Sequence, residues 1–403
     1  MGVLCVIAAF VLSGCNRNAD RHDAVDYAVR FARCMEKDEL SIQHQSQALE
    51  GVVQVLLARG APDRALTAAN AMGDWRRGTA FADIATVYAQ TGQTVRARAL
   101  LRECDALRAR IVEEQFLGTM GWTAQRIEQH MTVARMALGE RNVVIDTNAH
   151  HDLSPRVIEA TMRISAPTGG APARPSLAAA LTDNPDPALQ DGLAAGLLAV
   201  AESAERISSN ELDRIVADVN AQKRLQPVAW RVPLVLRLSA LLRRHDRTAQ
   251  AEALIGEAEA AARGQPHGFN RATLLAAIGV TRQVAGQPAG RLLVDEAVKE
   301  LGASCEAPDR VQAKCRISVL CRRGGWPVRA NALLLSALAD TDAMDNPATR
   351  LSRRIGVCAA LIGADDPIPV ELRSALDNRM AGENSRLAAV RKIDKIAVAG
   401  QGR

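Results

Sequence analysis

Residues 92–101 (GQTVRARALL) and residues 325–334 (GWPVRANALL) are identical at seven of ten positions. An internal copy of this kind constrains the fold more than any other feature, because a repeated segment is a structural unit that buries its apolar face against its own copies. Taking the glycine as a marker, small or apolar residues precede Gly92 at Phe81, Ile84, Ala85 and Tyr88 and follow it at Ala97, Leu101 and Cys104. Spacings of three and four place each set on one helix face. The unit is therefore two amphipathic helices joined at a glycine. Leu49, Val53 and Leu56 before Gly60, then Ala65 and Ala69, repeat the layout, as do Leu238 and Leu242 before Asp246, then Ala251, Ile255 and Ala258. Further copies surround Ser208, Gly286 and Gly363. The step from Gly60 to Gly92 is 32, and the steps through positions 208, 246, 286, 325 and 363 are 38, 40, 39 and 38. A near-constant step marks a solenoid of stacked helix pairs.

The turn chemistry agrees. Pro62, Pro288 and Pro327 each stand two residues after a marker glycine. Glycine takes the left-handed conformation that ends a helix, and proline is tolerated in the first turn of the next. Ser208 and Glu211 make a capping-box pattern at the equivalent point. Residues 38–105 and 190–365 resemble the tetratricopeptide family and its looser relatives, most clearly at Phe81, Ile84, Ala85, Tyr88, Gly92, Ala97 and Leu101. The resemblance implies an all-α helix-pair array in which small residues let paired helices approach closely. Rear steps of 38 to 40 exceed that family's period of about 34, so those units read as longer relatives or as another helix-pair class. An irregular helical bundle is the plain alternative. The pattern fades between 106 and 187, where Gly- and Pro-rich residues 168–187 read as a linker. It divides N-terminal repeats (23–167) from C-terminal repeats (188–385), and residues 386–403 read as a basic capping helix and tail.

Composition fits helices better than sheets: aromatic residues are 3% of the 403, and alanine, leucine and arginine recur throughout. The net charge of +5 arises from 50 basic and 45 acidic residues interleaved along the chain. That is a pattern of solvated helix faces, not the dense basic stripe of a nucleic-acid binder, so no nucleic-acid partner is expected.

The N-terminus indicates location. Residues 3–12 are an uninterrupted apolar run, followed by Ser13, Gly14, Cys15 and a polar stretch. Ten apolar residues are too few to span a bilayer, which takes roughly 20, and suit a signal-peptide core. Leu12, Ser13, Gly14 and Cys15 resemble the lipobox of bacterial lipoproteins. The resemblance implies a signal peptide over 1–14, cleavage before Cys15, and diacylglycerol with a palmitate-type acyl chain on that cysteine. Several acyl chains, each methylene adding about 0.8 kcal/mol, make an anchor that rarely leaves the membrane. No Lys or Arg precedes Cys15, a departure from the usual basic start; an uncleaved apolar end is the alternative. Asn16 after the cysteine, in place of aspartate, implies the outer membrane with the array facing the periplasm. The remaining tether, residues 16–22, reaches at most about 25 Å.

Candidate chemistry is sparse. Asp146, His150, His151 and Asp152 could hold a metal or move protons, but no HExxH, GxSxG or phosphate loop accompanies them, and a polar loop is the simpler reading. Six cysteines follow Cys15; Cys104 sits in a small-residue packing slot, and Cys321 and Cys358 fall near one place in consecutive first helices, a candidate disulfide. Arg77, Arg231, Arg271 and Arg310 stand at one fixed offset before the markers at 92, 246, 286 and 325. They are either an anion-binding ladder or, preferably, cations at the carbonyl end of the preceding helix. The sequence thus leads to an envelope lipoprotein that is a scaffold for a protein or peptide partner, with no enzymatic activity, catalytic residue, cofactor or metal. A His150/His151 enzyme or metal site is the alternative.

Overall fold

The computed structural model describes residues 23–115, 121–140, 155–165, 187–204, 207–223, 227–363 and 367–401. The signal peptide, Cys15, the tether, His150, His151 and the 168–186 part of the linker lie outside these residues. The described residues form seventeen α-helices and no strand, an all-α helix-pair solenoid. α1 (Ala24–Arg33) begins at a capping box: the Asp23 carboxylate accepts from the Val25 and Asp26 amides, and that of Asp26 accepts from the Asp23 amide. First and second helices then alternate as α2 (Glu39–Ala58) with α3 (Pro62–Ala69) and α4 (Arg76–Gln90) with α5 (Thr94–Gln115). α6 (Gly121–Ala137) and α7 (Pro155–Ser165) precede α8 (Pro187–Ser203) and α9 (Ser209–Lys223). The rear pairs are α10 (Val228–Arg244) with α11 (Thr248–Arg263), α12 (Phe269–Val284) with α13 (Ala289–Ser304), and α14 (Ala307–Arg323) with α15 (Pro327–Asp342). α16 (Pro347–Ile362) is followed by α17 (Val370–Gln401), one continuous helix through position 386, where the basic end begins.

The marker turns share one geometry. Gly60, Gly92, Gly286 and Gly325 have φ of +67°, +77°, +78° and +78°, and Asp246 has φ +60°. At each, two amides return to the helix just ended: Gly92 donates to the Ala89 carbonyl at 3.0 Å and Gln93 to that of Tyr88 at 2.8 Å. This is the Schellman arrangement, which satisfies carbonyls left over at a helix end. Gly139 (φ +72°) ends α6 in the same way, a cap that the fading sequence pattern concealed. Gly363 departs from expectation: its φ of −57° is right-handed, so it closes α16 without the left-handed turn. Ser208 and Glu211 form the expected reciprocal cap.

The small residues lie where the register puts them. Ala97, Ala251 and Ala330 are fully buried between paired helices. Between α12 and α13, a Cβ on Gly279 would lie 2.5 Å from the Gly290 carbonyl oxygen, so these helices meet backbone to backbone. Asn331, one position past Ala330 and so off the apolar face by helix periodicity, is half-buried and accepts a hydrogen bond from Arg322, because the end of α14 lies over the start of α15.

A circuit of neighbours runs α2, α4, α6, α7, α8, α10, α12, α14, α16, and α16 packs in turn on α1 and α2. The array therefore closes on itself. Tyr27, Phe31, Leu49 and Val53 from its start share one core with Ile355, Cys358 and Leu376 from its end. The Tyr27 hydroxyl donates to Asp377 at 2.5 Å, and Arg59 donates to the Gly363 carbonyl.

Candidate functional site, a cationic groove where the array closes

Three first helices meet at the closure. Between them lies a groove of about 660 Å³, lined by His44, Gln47 and Val55 of α2, Gln312, Arg316 and Val319 of α14, and Ser352, Arg353 and Ala359 of α16, among others. Among the described residues no second helix contributes to the lining, so the groove opens on the face of the circuit away from those helices. The ends of α2 and α16 meet, where Arg59 donates to the Gly363 carbonyl, and Gln312 and Arg353, each in the second turn of its helix, are in contact, so the three run side by side in one direction and their positive dipole ends add at one end of the groove.

Its charge is unbalanced. Among the described residues, neither Arg316 nor Arg353 has a carboxylate partner: Arg353 reaches only the Gln312 side-chain oxygen at 3.5 Å, its Nε is buried without a hydrogen bond, and Arg316 lies over the Phe269 ring at 4.9 Å. Burial, followed by the like charge of Arg353, holds the Arg316 guanidinium below its ordinary pKa. Two cations crowded in this way lose repulsion when an anion sits between them. Gln47, Gln312, Thr349 and Ser352 add neutral donors and acceptors, and Val55, Val319, Ala359 and Ala360 add apolar wall. The arrangement can seat a group that carries a carboxylate or phosphate beside amide-like and small apolar surface.

The residues singled out from sequence have other surroundings. Arg271 pairs with Glu300 at 3.3 Å; Arg310 pairs with Asp340 at 3.0 Å and donates to the Cys305 carbonyl at 2.9 Å. Arg77 lies over the Phe81 ring at 5.0 Å, and Arg231 is half-buried on α10. Arg310 thus meets the carbonyl end of the preceding helix, as the structural reading expected, and the carboxylates beside Arg271 and Arg310 leave neither free for an outside anion. Cys321 and Cys358 are free, buried thiols packed in different core clusters, so the candidate disulfide is absent. The thiol that Cys358 senses electrostatically is Cys315, the groove-lining cysteine of α14; burial pushes Cys315 up to about 12 and Cys358 higher still. Cys104 fills its packing slot and donates to the Gly78 carbonyl at 3.3 Å. Sequence reasoning missed the contact of His130 Nδ1 with Asp83 at 2.6 Å, which links α6 to α4 and extends through Gln54 to α2. It also missed Arg316 and Arg353, which no local motif marks. Among the described residues no group of three His, Cys, Asp or Glu is placed to hold a metal, and no helix is long and apolar enough to cross a membrane. No protein-family model matches the chain, and no curated protein or solved structure matches it.

Proposed function

We propose that this chain is a lipoprotein of the bacterial cell envelope whose closed helical array is a non-catalytic scaffold for a protein or peptide partner. The observation that carries the scaffold reading is the groove at the closure, where Arg316 and Arg353 face a cavity with no carboxylate among the described residues to neutralise them. A partner segment with an acidic side chain meets those cations, while Gln47 and Gln312 suit peptide amides. The anchor reading rests on the lipobox-like residues Leu12, Ser13, Gly14 and Cys15. It sets the array close to a membrane, by preference the outer membrane on its periplasmic side.

Two experiments separate the halves of this reading. Cys15→Ser is expected to abolish metabolic lipid labelling and membrane sedimentation after a salt wash; persistence of both contradicts the anchor. For the scaffold, a photo-crosslinking residue at Ser352 of the full chain in cells is expected to give a discrete protein adduct that disappears with Arg353→Glu. The same adduct in the Arg353→Glu background, or none in the wild type, contradicts the groove as the partner site.

A further inference from the structure

The two edges of the array differ in charge. One edge carries the turns from first to second helices: residues 57–64, 90–98, 243–247, 282–291 and 322–329 hold twelve arginines and two carboxylates. The other carries the returns to the next first helix: residues 34–39, 70–77, 263–271, 304–310 and 340–350 hold seven basic and nine acidic residues. Half of the twelve arginines are neutralised: Arg64 pairs with Asp23, Arg96 with Asp63, Arg243 with Glu252, Arg247 with Asp213, Arg282 with Glu259 and Arg329 with Asp295. Arg98, Arg291 and Arg323 are exposed and have no carboxylate partner among the described residues. Each stands close in sequence to a large exposed apolar residue: Val95 is 78% exposed, Leu292 70% and Val328 81%. Exposed Leu40, Trp122 and Trp230 lie at the other edge, so apolar exposure alone does not distinguish the two.

The start of the described chain does. Asp23, which caps α1, pairs with Arg64 at 2.5 Å, and Arg64 lies in the first turn of α3, on the basic edge. Seven residues, 16–22, separate this point from Cys15, a reach of at most about 25 Å. A lipid on Cys15 therefore brings the basic edge, rather than the acidic one, toward the bilayer. Unpaired arginines beside exposed valine and leucine suit an interface with anionic headgroups, where the cations meet phosphates and the apolar tips enter the headgroup boundary. We infer that the edge bearing the first-to-second-helix turns lies against an anionic phospholipid surface. The array then stands on this edge instead of swinging from its tether, and the groove opens sideways along the membrane. This rests on the proposed anchor at Cys15.

The test uses the full-length protein reconstituted in vesicles of phosphatidylethanolamine with about a third phosphatidylglycerol, with a photo-crosslinking residue at Val95, Val328 or Leu40. Lipid adducts from Val95 and Val328 are expected at least tenfold above those from Leu40. Arg98→Glu, Arg291→Glu and Arg323→Glu together should bring them to the Leu40 level while the protein still floats with the vesicles. Equal yields at the two edges, or yields unmoved by the charge reversal, overturn the inference. The intact mass, read in the same samples, reports acylation of Cys15 separately. Acylated protein without adducts at Val328 overturns the edge and keeps the anchor. Unacylated protein with adducts there does the reverse.

Discussion

Asp246 is the only residue other than glycine with left-handed backbone among the described residues, and it occupies the position that Gly60, Gly92, Gly286 and Gly325 occupy in other units. A Cβ there costs about 1 kcal/mol or somewhat more. Asp246→Gly should therefore raise the free energy of unfolding by about 0.5 kcal/mol, part of the gain being offset by the freer unfolded chain. Gly325→Ala should lower it by about 1 kcal/mol, and the loss is conformational alone, because a Cβ on Gly325 would touch nothing within 4 Å. Neighbours in one helix supply a second test. Ala97 is fully buried and Arg98 exposed, so Ala97→Leu should cost about 1 to 3 kcal/mol and Arg98→Leu at most about 0.5 kcal/mol. Equal midpoints for these two variants would contradict the helix register. At this scale the sequence was highly legible, since a left-handed cap favours glycine, a close helix pair favours alanine, and both requirements recur with the repeat. Gly139 escaped because the sequence after it carries no amphipathic pattern to mark a second helix, and Asn331 because contact with the preceding helix end is a tertiary event.

Helices α15, α16 and α17 are joined by a buried ionic cluster. Arg350 and Arg354 donate to Glu383 at 3.0 and 2.7 Å, and Arg354 and Arg379 both pair with Asp342. Burial alone would raise the Glu383 carboxyl; the hydrogen bond and charge of Arg350, with the charges of Arg354 and Arg386, outweigh it and hold the group below the ordinary glutamate range. A depressed carboxyl stabilises the fold above its unfolded pKa, and that contribution is lost as pH falls through the folded value. Glu383→Gln strands two buried guanidiniums and should cost about 3 to 5 kcal/mol at neutral pH. The variant should also lose the part of the acid sensitivity below about pH 4 that belongs to this carboxyl. Stability measured from pH 7 to pH 3 checks both, and parallel curves for the two proteins would contradict the assignment. None of this cluster was foreseen: Arg350 and Glu383 are far apart in the chain, and periodicity identifies which residues share a helix face but not which helix meets which across the fold.

The solenoid itself was legible because each unit repeats local rules, whereas its closure depends on how small rotations between units accumulate, which no single unit encodes. The groove belongs to the same order of structure. His44, Arg316 and Arg353 are unremarkable surface residues in their own helices, and they become one site only because α16 packs against α2. An open row of the nine helices in the described circuit, with neighbouring axes about 8 to 10 Å apart, would hold its ends roughly 70 Å apart. In the closed array, Arg33 of α1 and Asn384 of α17 line a single surface pocket. Spin labels introduced through unnatural amino acids at these two positions, with the distance read by pulsed electron resonance, test the closure most directly. The closed array predicts one narrow distribution well below half of that open-row span, label arms included. A broad distribution centred above half of the span would mean an open array, and neither the shared core nor the groove would then exist as described.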